Sequence, residues 1–81
     1  MLVVRKEIDV ANAYRKGQSV SWQWSGSTAH GTVAERFDRT VQRTIKGAKI
    51  VRKGSKDDPA YLVEQADGAR ALKLGSELSA D

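Results

Sequence analysis

Two short strand-like runs, residues 60–66 and 69–74, flank the dipeptide Asp67-Gly68, and this constrains the fold more than any other feature of the chain. Asp-Gly between apolar runs is the strongest short-range signal for a β-hairpin, because glycine supplies the positive φ that a tight turn needs. A two-residue loop there sets Val63 opposite Leu72 and Tyr61 opposite Leu74 on one face. Upstream, residues 19–24 alternate cleanly, with Val20, Trp22 and Trp24 on one side and Ser19, Ser21 and Gln23 on the other. That period of two describes a half-buried strand, and Ser25-Gly26-Ser27 is the turn that follows it.

Residues 28–37 form a second strand with Val33 and Phe37 inward, and Gly31 within it marks a bulge or sharp bend. Residues 40–53 read as a hairpin around Lys46-Gly47. Its pairing sets Ile45 against Ala48, Arg43 against Ile50 and Val41 against Arg52. One face then carries Val41, Ile45, Ala48 and Ile50 together with the two arginines, which need acidic partners such as Glu35 or an exit at the barrel ends. The other face carries Thr40, Gln42, Thr44, Lys49, Val51 and Lys53. Residues 54–59 connect to a strand that opens with Pro59, and residues 75–78 form a last helical turn with Leu78 capping the core.

Five to six short strands with frequent turns describe an all-β domain. The 81 residues are fewer than the about 100 of an immunoglobulin-type sandwich, so a small barrel is the expected architecture. With no cysteine, the core stands without disulfides or thiolate metal sites. No apolar run approaches the length of a membrane span, and the one at Met1 to Val4 is too short for a signal peptide, so a soluble cytoplasmic protein is expected. Residues 1–14 contain no Gly or Pro, and Val4, Ile8 and Ala11 could share a helical face. A short helix, an edge strand and a loose arm all remain open for this N-terminal extension, with residues 15–81 as the barrel domain.

Several short segments in order resemble one family: Lys16-Gly17, Val20-Ser21-Trp22, Gly31-Thr32-Val33, Thr44-Ile45-Lys46-Gly47, Asp58-Pro59-Ala60-Tyr61, Asp67-Gly68 and Ser76-Glu77-Leu78. Together they are similar to the hypervirulence-associated protein Tudor-like domain family over about four-fifths of the chain. Gln18 stands where the pattern carries an acidic residue. The resemblance implies an SH3-like (Tudor-type) barrel and no settled biochemical activity.

Charge is polarised along the sequence. Residues 36–56 hold eight Lys or Arg against Asp38 alone, whereas residues 57–81 hold six acids against Arg70 and Lys73, for a net charge of +4. A basic cluster attracts polyanions, although lysines also serve to keep a strand edge from aggregating. Catalysis needs an activated nucleophile, a tuned acid–base pair or a metal, and the chain offers one histidine, His30, with no orienting carboxylate evident from sequence. Asp57-Asp58 suits the turn before Pro59 better than a cation, and no phosphate-binding glycine loop is present. A non-enzymatic binding module without cofactor or metal is therefore expected. Nucleic acid or another polyanion is the leading ligand, held by Arg43, Lys46, Lys49, Arg52 and Lys53, with Trp24 and Tyr61 as rim aromatics that stack on a base. Reversing Lys49 and Lys53 is expected to abolish such binding. A protein partner with an acidic surface, docked on the groove or an open strand edge, and a small anionic nucleotide held by Arg43, Arg52 and a rim Trp are the alternatives. An aromatic cage for a methylated cation needs three or four converging rings, which Trp22, Trp24, Phe37 and Tyr61 would have to supply beyond the needs of the core.

Overall fold

In the computed structural model, residues 13–81 are described; the helix, strand or arm considered for the N-terminal extension falls, up to residue 12, outside them. The chain forms β1 (Ser19–Trp24), β2 (Ser27–Phe37), β3 (Thr40–Ile45), β4 (Ala48–Lys53), β5 (Ala60–Glu64), β6 (Arg70–Leu74), a 3₁₀ turn (Gly75–Glu77) and β7 (Ser79–Ala80). One antiparallel sheet has the order β6-β5-β2-β1-β7, and β3 and β4 form a separate two-stranded sheet. This is the expected all-β, barrel-like architecture, with one more short strand. β7 is that addition: Leu78 tucks into the core after the 3₁₀ turn, and the chain then runs back along β1, pairing Ala80 with Val20.

The eleven-residue β2 pairs with β1 through its first half and with β5 through its second. The ladder slips at one point between Val33 and Glu35. A bulge there bends the strand and changes which side chains face inward. Val33 consequently joins Tyr14, Val20, Trp22, Tyr61, Val63 and Leu78 in one core cluster, while Phe37 joins Val41, Ala60, Leu62 and Leu72 in another. Val33 and Phe37 are thus both inward, as expected, but in different clusters. The role expected of Gly31 is corrected: it sits in regular register opposite Val20. A Cβ at Gly31 would lie 2.6 Å from the Glu64 carbonyl oxygen and 3.1 Å from the Trp22 ring. Close approach, not a bulge, is why this position lacks a side chain.

β5 separates the two clusters. Tyr61 and Val63 point into the first, Ala60 and Leu62 into the second, and both faces of the strand are buried. Its hairpin with β6 also corrects the expected register. Leu62, not Val63, faces Leu72, and Tyr61 faces Lys73. The loop is three residues long: the Gly68 N–H donates to the Gln65 carbonyl at 2.9 Å, and Gly68 takes φ +90°. This is a turn closed by a glycine bulge, and adding one residue to a hairpin loop moves every cross-strand neighbour by one.

The β3–β4 hairpin forms as the sequence implies. Lys46 and Gly47 occupy the turn with φ of 52° and 78°, and Ile45–Ala48, Arg43–Ile50 and Val41–Arg52 are cross-strand pairs. Val41 is buried, Ile45 and Ile50 are half-buried against the second cluster, and the opposite face is exposed. At the start of the described chain Tyr14 is itself core. Its N–H donates to the Tyr61 hydroxyl at 2.8 Å, its own hydroxyl donates to the Leu78 carbonyl at 3.0 Å, and the two tyrosine rings meet edge-on at 5.6 Å. The structural unit therefore begins at least at Tyr14.

Candidate functional site

A concavity lies where the β3–β4 hairpin comes up against β6, the terminal strand of the larger sheet, near the end of β1. It is an open groove of about 380 Å³. Trp22, Ile45, Ile50 and Leu72 give it an apolar floor, because each also belongs to, or leans on, one of the two core clusters. Above that floor stand four cations. Lys46 comes from the hairpin tip and Arg52 from β4, facing Arg70 and Lys73 of β6. No carboxylate lines the groove among the described residues. Trp24 completes it; its position one residue pair before the β1–β2 turn leaves it 63% exposed.

Among the described residues, β6 pairs with β5 on one side and with no strand on the other. In an antiparallel ladder the backbone groups of successive residues point to alternate edges. Leu74 shows the outward phase directly, since its N–H donates to the Glu77 carboxylate at 2.7 Å. Leu72 and Arg70 share that phase, which turns their N–H and C=O toward the groove.

The expected site residues divide into four groups. Lys46, Arg52 and Trp24 are brought together in the groove. Lys49 and Lys53 lie on the exposed outer face of the hairpin and do not line it. Arg43 does face inward, but elsewhere: its guanidinium lies 4.8 Å from the Phe37 ring centroid, 3.8 Å from the Glu35 carboxylate, and donates to the Gln42 carbonyl at 2.8 Å. Glu35 is thus the partner anticipated for it, and Arg39 lies over the same ring at 5.3 Å. Tyr61 is corrected outright. It is fully buried between β2 and β6 and cannot form a rim. The proximity of Pro59 points to a loop, but Pro59 is buried too, and the strand it precedes lies inside the sheet between β6 and β2.

Arg70 and Lys73 are not among the expected site residues, since they sit in the acidic third of the sequence. Their signal was local: two cations interrupting the otherwise apolar second arm of a hairpin. Only Trp24 among the five aromatics is exposed; Tyr14, Trp22, Phe37 and Tyr61 are buried, so no ring cage forms.

Arg52 is shared between the groove and the end of the domain. Its Nε lies 3.3 Å from the same Glu77 oxygen that accepts the Leu74 N–H. Nearby, Asp58 accepts from the backbone N–H and hydroxyl of Ser76 at 2.8 and 2.7 Å. This carboxylate ties the loop before β5 to the 3₁₀ turn. His30 Nδ1 pairs with Asp81 at 2.9 Å, and Ser21 stands across the ladder from His30. The His30–Asp81 pair ties the residue after β7 to β2, and among the described residues no hydrogen bond joins that serine to the imidazole. Among the described residues no three metal-ligating side chains gather, and no helix is long and apolar enough to cross a membrane.

A family model described as the hypervirulence associated proteins TUDOR domain matches residues 17–78. No curated protein and no solved structure matches the chain.

Proposed function

Because this chain belongs to the hypervirulence-associated protein Tudor domain family, a family of small binding modules, we propose that it is a non-catalytic module that holds a polyanion, nucleic acid foremost, in the groove between the β3–β4 hairpin and β6. The observation that carries this reading is the convergence of Lys46, Arg52, Arg70 and Lys73 beside an exposed indole, with no carboxylate among the lining residues. Cations so placed neutralise phosphates and release counterions, which makes affinity fall with added salt.

Fluorescence anisotropy with labelled DNA and RNA tests it. Binding weakens steeply with salt and is lost in Lys46→Gln/Arg70→Gln. In Lys49→Gln/Lys53→Gln, whose lysines lie outside the groove, it persists. Absent or salt-independent binding overturns the reading. The unpaired edge of β6 supports a second reading, an extended acidic peptide added as a strand. A nuclease-treated pull-down that still recovers a partner, one displaced by a poly-glutamate peptide, favours it.

A further inference from the structure

Resting on that reading, we infer that the groove is built for an unpaired nucleobase, so that the ligand is a single strand of nucleic acid rather than a duplex. A duplex keeps its base faces stacked and offers a basic surface mainly phosphates and groove edges. A convex patch of lysines would suffice to hold it. This groove differs in three respects.

Its cations do not stand on a bare surface. They flank an apolar strip of Trp22, Ile45, Ile50 and Leu72, which gains nothing from phosphate and offers contact to a base removed from water. Second, the Trp24 indole is 63% exposed, in a chain whose other four aromatics are buried. An indole face stacks on any unpaired base and has no counterpart to stack on in an intact duplex. Third, Lys46 and Arg52 line the groove from the β3–β4 hairpin and Arg70 and Lys73 from β6. Phosphates on both sides of an inserted base then each meet a cation, as the alternation of phosphate and base along one strand requires. The outward N–H and C=O groups of Arg70 and Leu72 supply a donor and an acceptor to the edge of that base.

An acidic peptide could use the same cations and the same strand edge, yet it has no planar ring at the repeat of its charges to meet Trp24. The observations therefore favour the nucleic acid strand.

The test compares three probes on the full chain: oligothymidylate about eight nucleotides long, a site size within the range of small β-barrels, a GC-rich hairpin duplex that stays paired and carries at least as many phosphates, and a poly-glutamate peptide. Oligothymidylate is expected to bind about tenfold more tightly than either other probe, with quenching of tryptophan emission. Trp24→Ala should weaken oligothymidylate about tenfold, as loss of one stacked base does, and leave duplex affinity unchanged. A melt at the wild-type temperature shows that the variant is folded. Duplex binding as tight as the single strand, or equal weakening of every probe by Trp24→Ala, overturns the inference while leaving the polyanion reading in place. Tightest binding to poly-glutamate overturns it in favour of a peptide ligand. Failure of all three probes removes the polyanion reading and this inference with it.

Discussion

Tyr14 bonds to two distant parts of the chain. Its N–H reaches Tyr61 on β5, and its hydroxyl reaches the carbonyl of Leu78, just before the final strand. Burial, and secondly the nearby Tyr61 hydroxyl, pushes the Tyr14 phenol above its ordinary value of 10.0. The folded state therefore keeps this proton at a pH where the unfolded chain has begun to release it. Below about pH 10 the group contributes no pH dependence; above it, stability falls as pH rises through the folded value. Denaturant titrations between about pH 8 and 11.5 should show this alkaline decline in the wild type and a shallower one in Tyr14→Phe. At neutral pH the same variant should lose about 1 kcal/mol, the worth of one buried hydrogen bond. Parallel alkaline limbs for the two proteins would mean that Tyr14 does not govern the decline.

At the scale of elements, the β3–β4 hairpin has no ladder to the main sheet among the described residues. Side-chain packing in the second core cluster holds it, with one ion pair, Arg52 to Glu77, at its end. The pair is partly exposed and so contributes at most about 1 kcal/mol. Its larger consequence is for binding, because Glu77 occupies a cation that the groove would otherwise present whole. Glu77→Gln keeps an acceptor for the Leu74 N–H and removes the charge. We expect it to cost less than about 1 kcal/mol in denaturant melts and to tighten oligonucleotide binding about threefold at low salt, as a freed cation engages a phosphate. Weakened binding, matching that of Arg52→Gln, would show instead that Glu77 holds Arg52 in its binding position.

The elements differ in how readable they were. The β3–β4 hairpin was legible residue by residue, since Lys46-Gly47 fits a two-residue turn and the hydrophobic pattern has one register that buries Val41 and Ile50. Asp67-Gly68 located its turn correctly and misled on its length. Both faces of β5 are buried, so no alternation of polar and apolar residues was present to reject a slip by one. The bulge in β2 left no mark of its own, because Ala34 fits either phase. The groove suffered for the same reason. Lys46, Arg52 and Trp24 could be read from hairpin geometry, but Arg70 and Lys73 reach it only through the path of β6 across the fold.

Over the whole molecule, the division of charge along the sequence is not the division of charge in space. The groove draws two cations from the basic middle and two from the acidic third, while Arg43 is spent on Phe37 and Glu35, and Lys49 and Lys53 face away. Net charge of +4 alone would steer any polyanion to the surface; on the proposed reading, the number of phosphates neutralised at close range depends on the groove. For a single strand, each contributes about 0.7 to the slope of log K against log salt, so four contacts give a slope of about −3. Arg70→Gln and Lys73→Gln should each flatten it by about 0.7. Lys49→Gln/Lys53→Gln, which removes charges outside the groove, should flatten the slope by much less than the about 1.4 expected of two lost phosphate contacts. A wild-type slope of about −6 would instead require phosphates to contact the outer hairpin face as well, and the groove would then be only part of the binding surface. Measuring the slope in the wild type and these variants at salt from about 0.05 to 0.3 M separates the two arrangements without identifying the natural sequence bound.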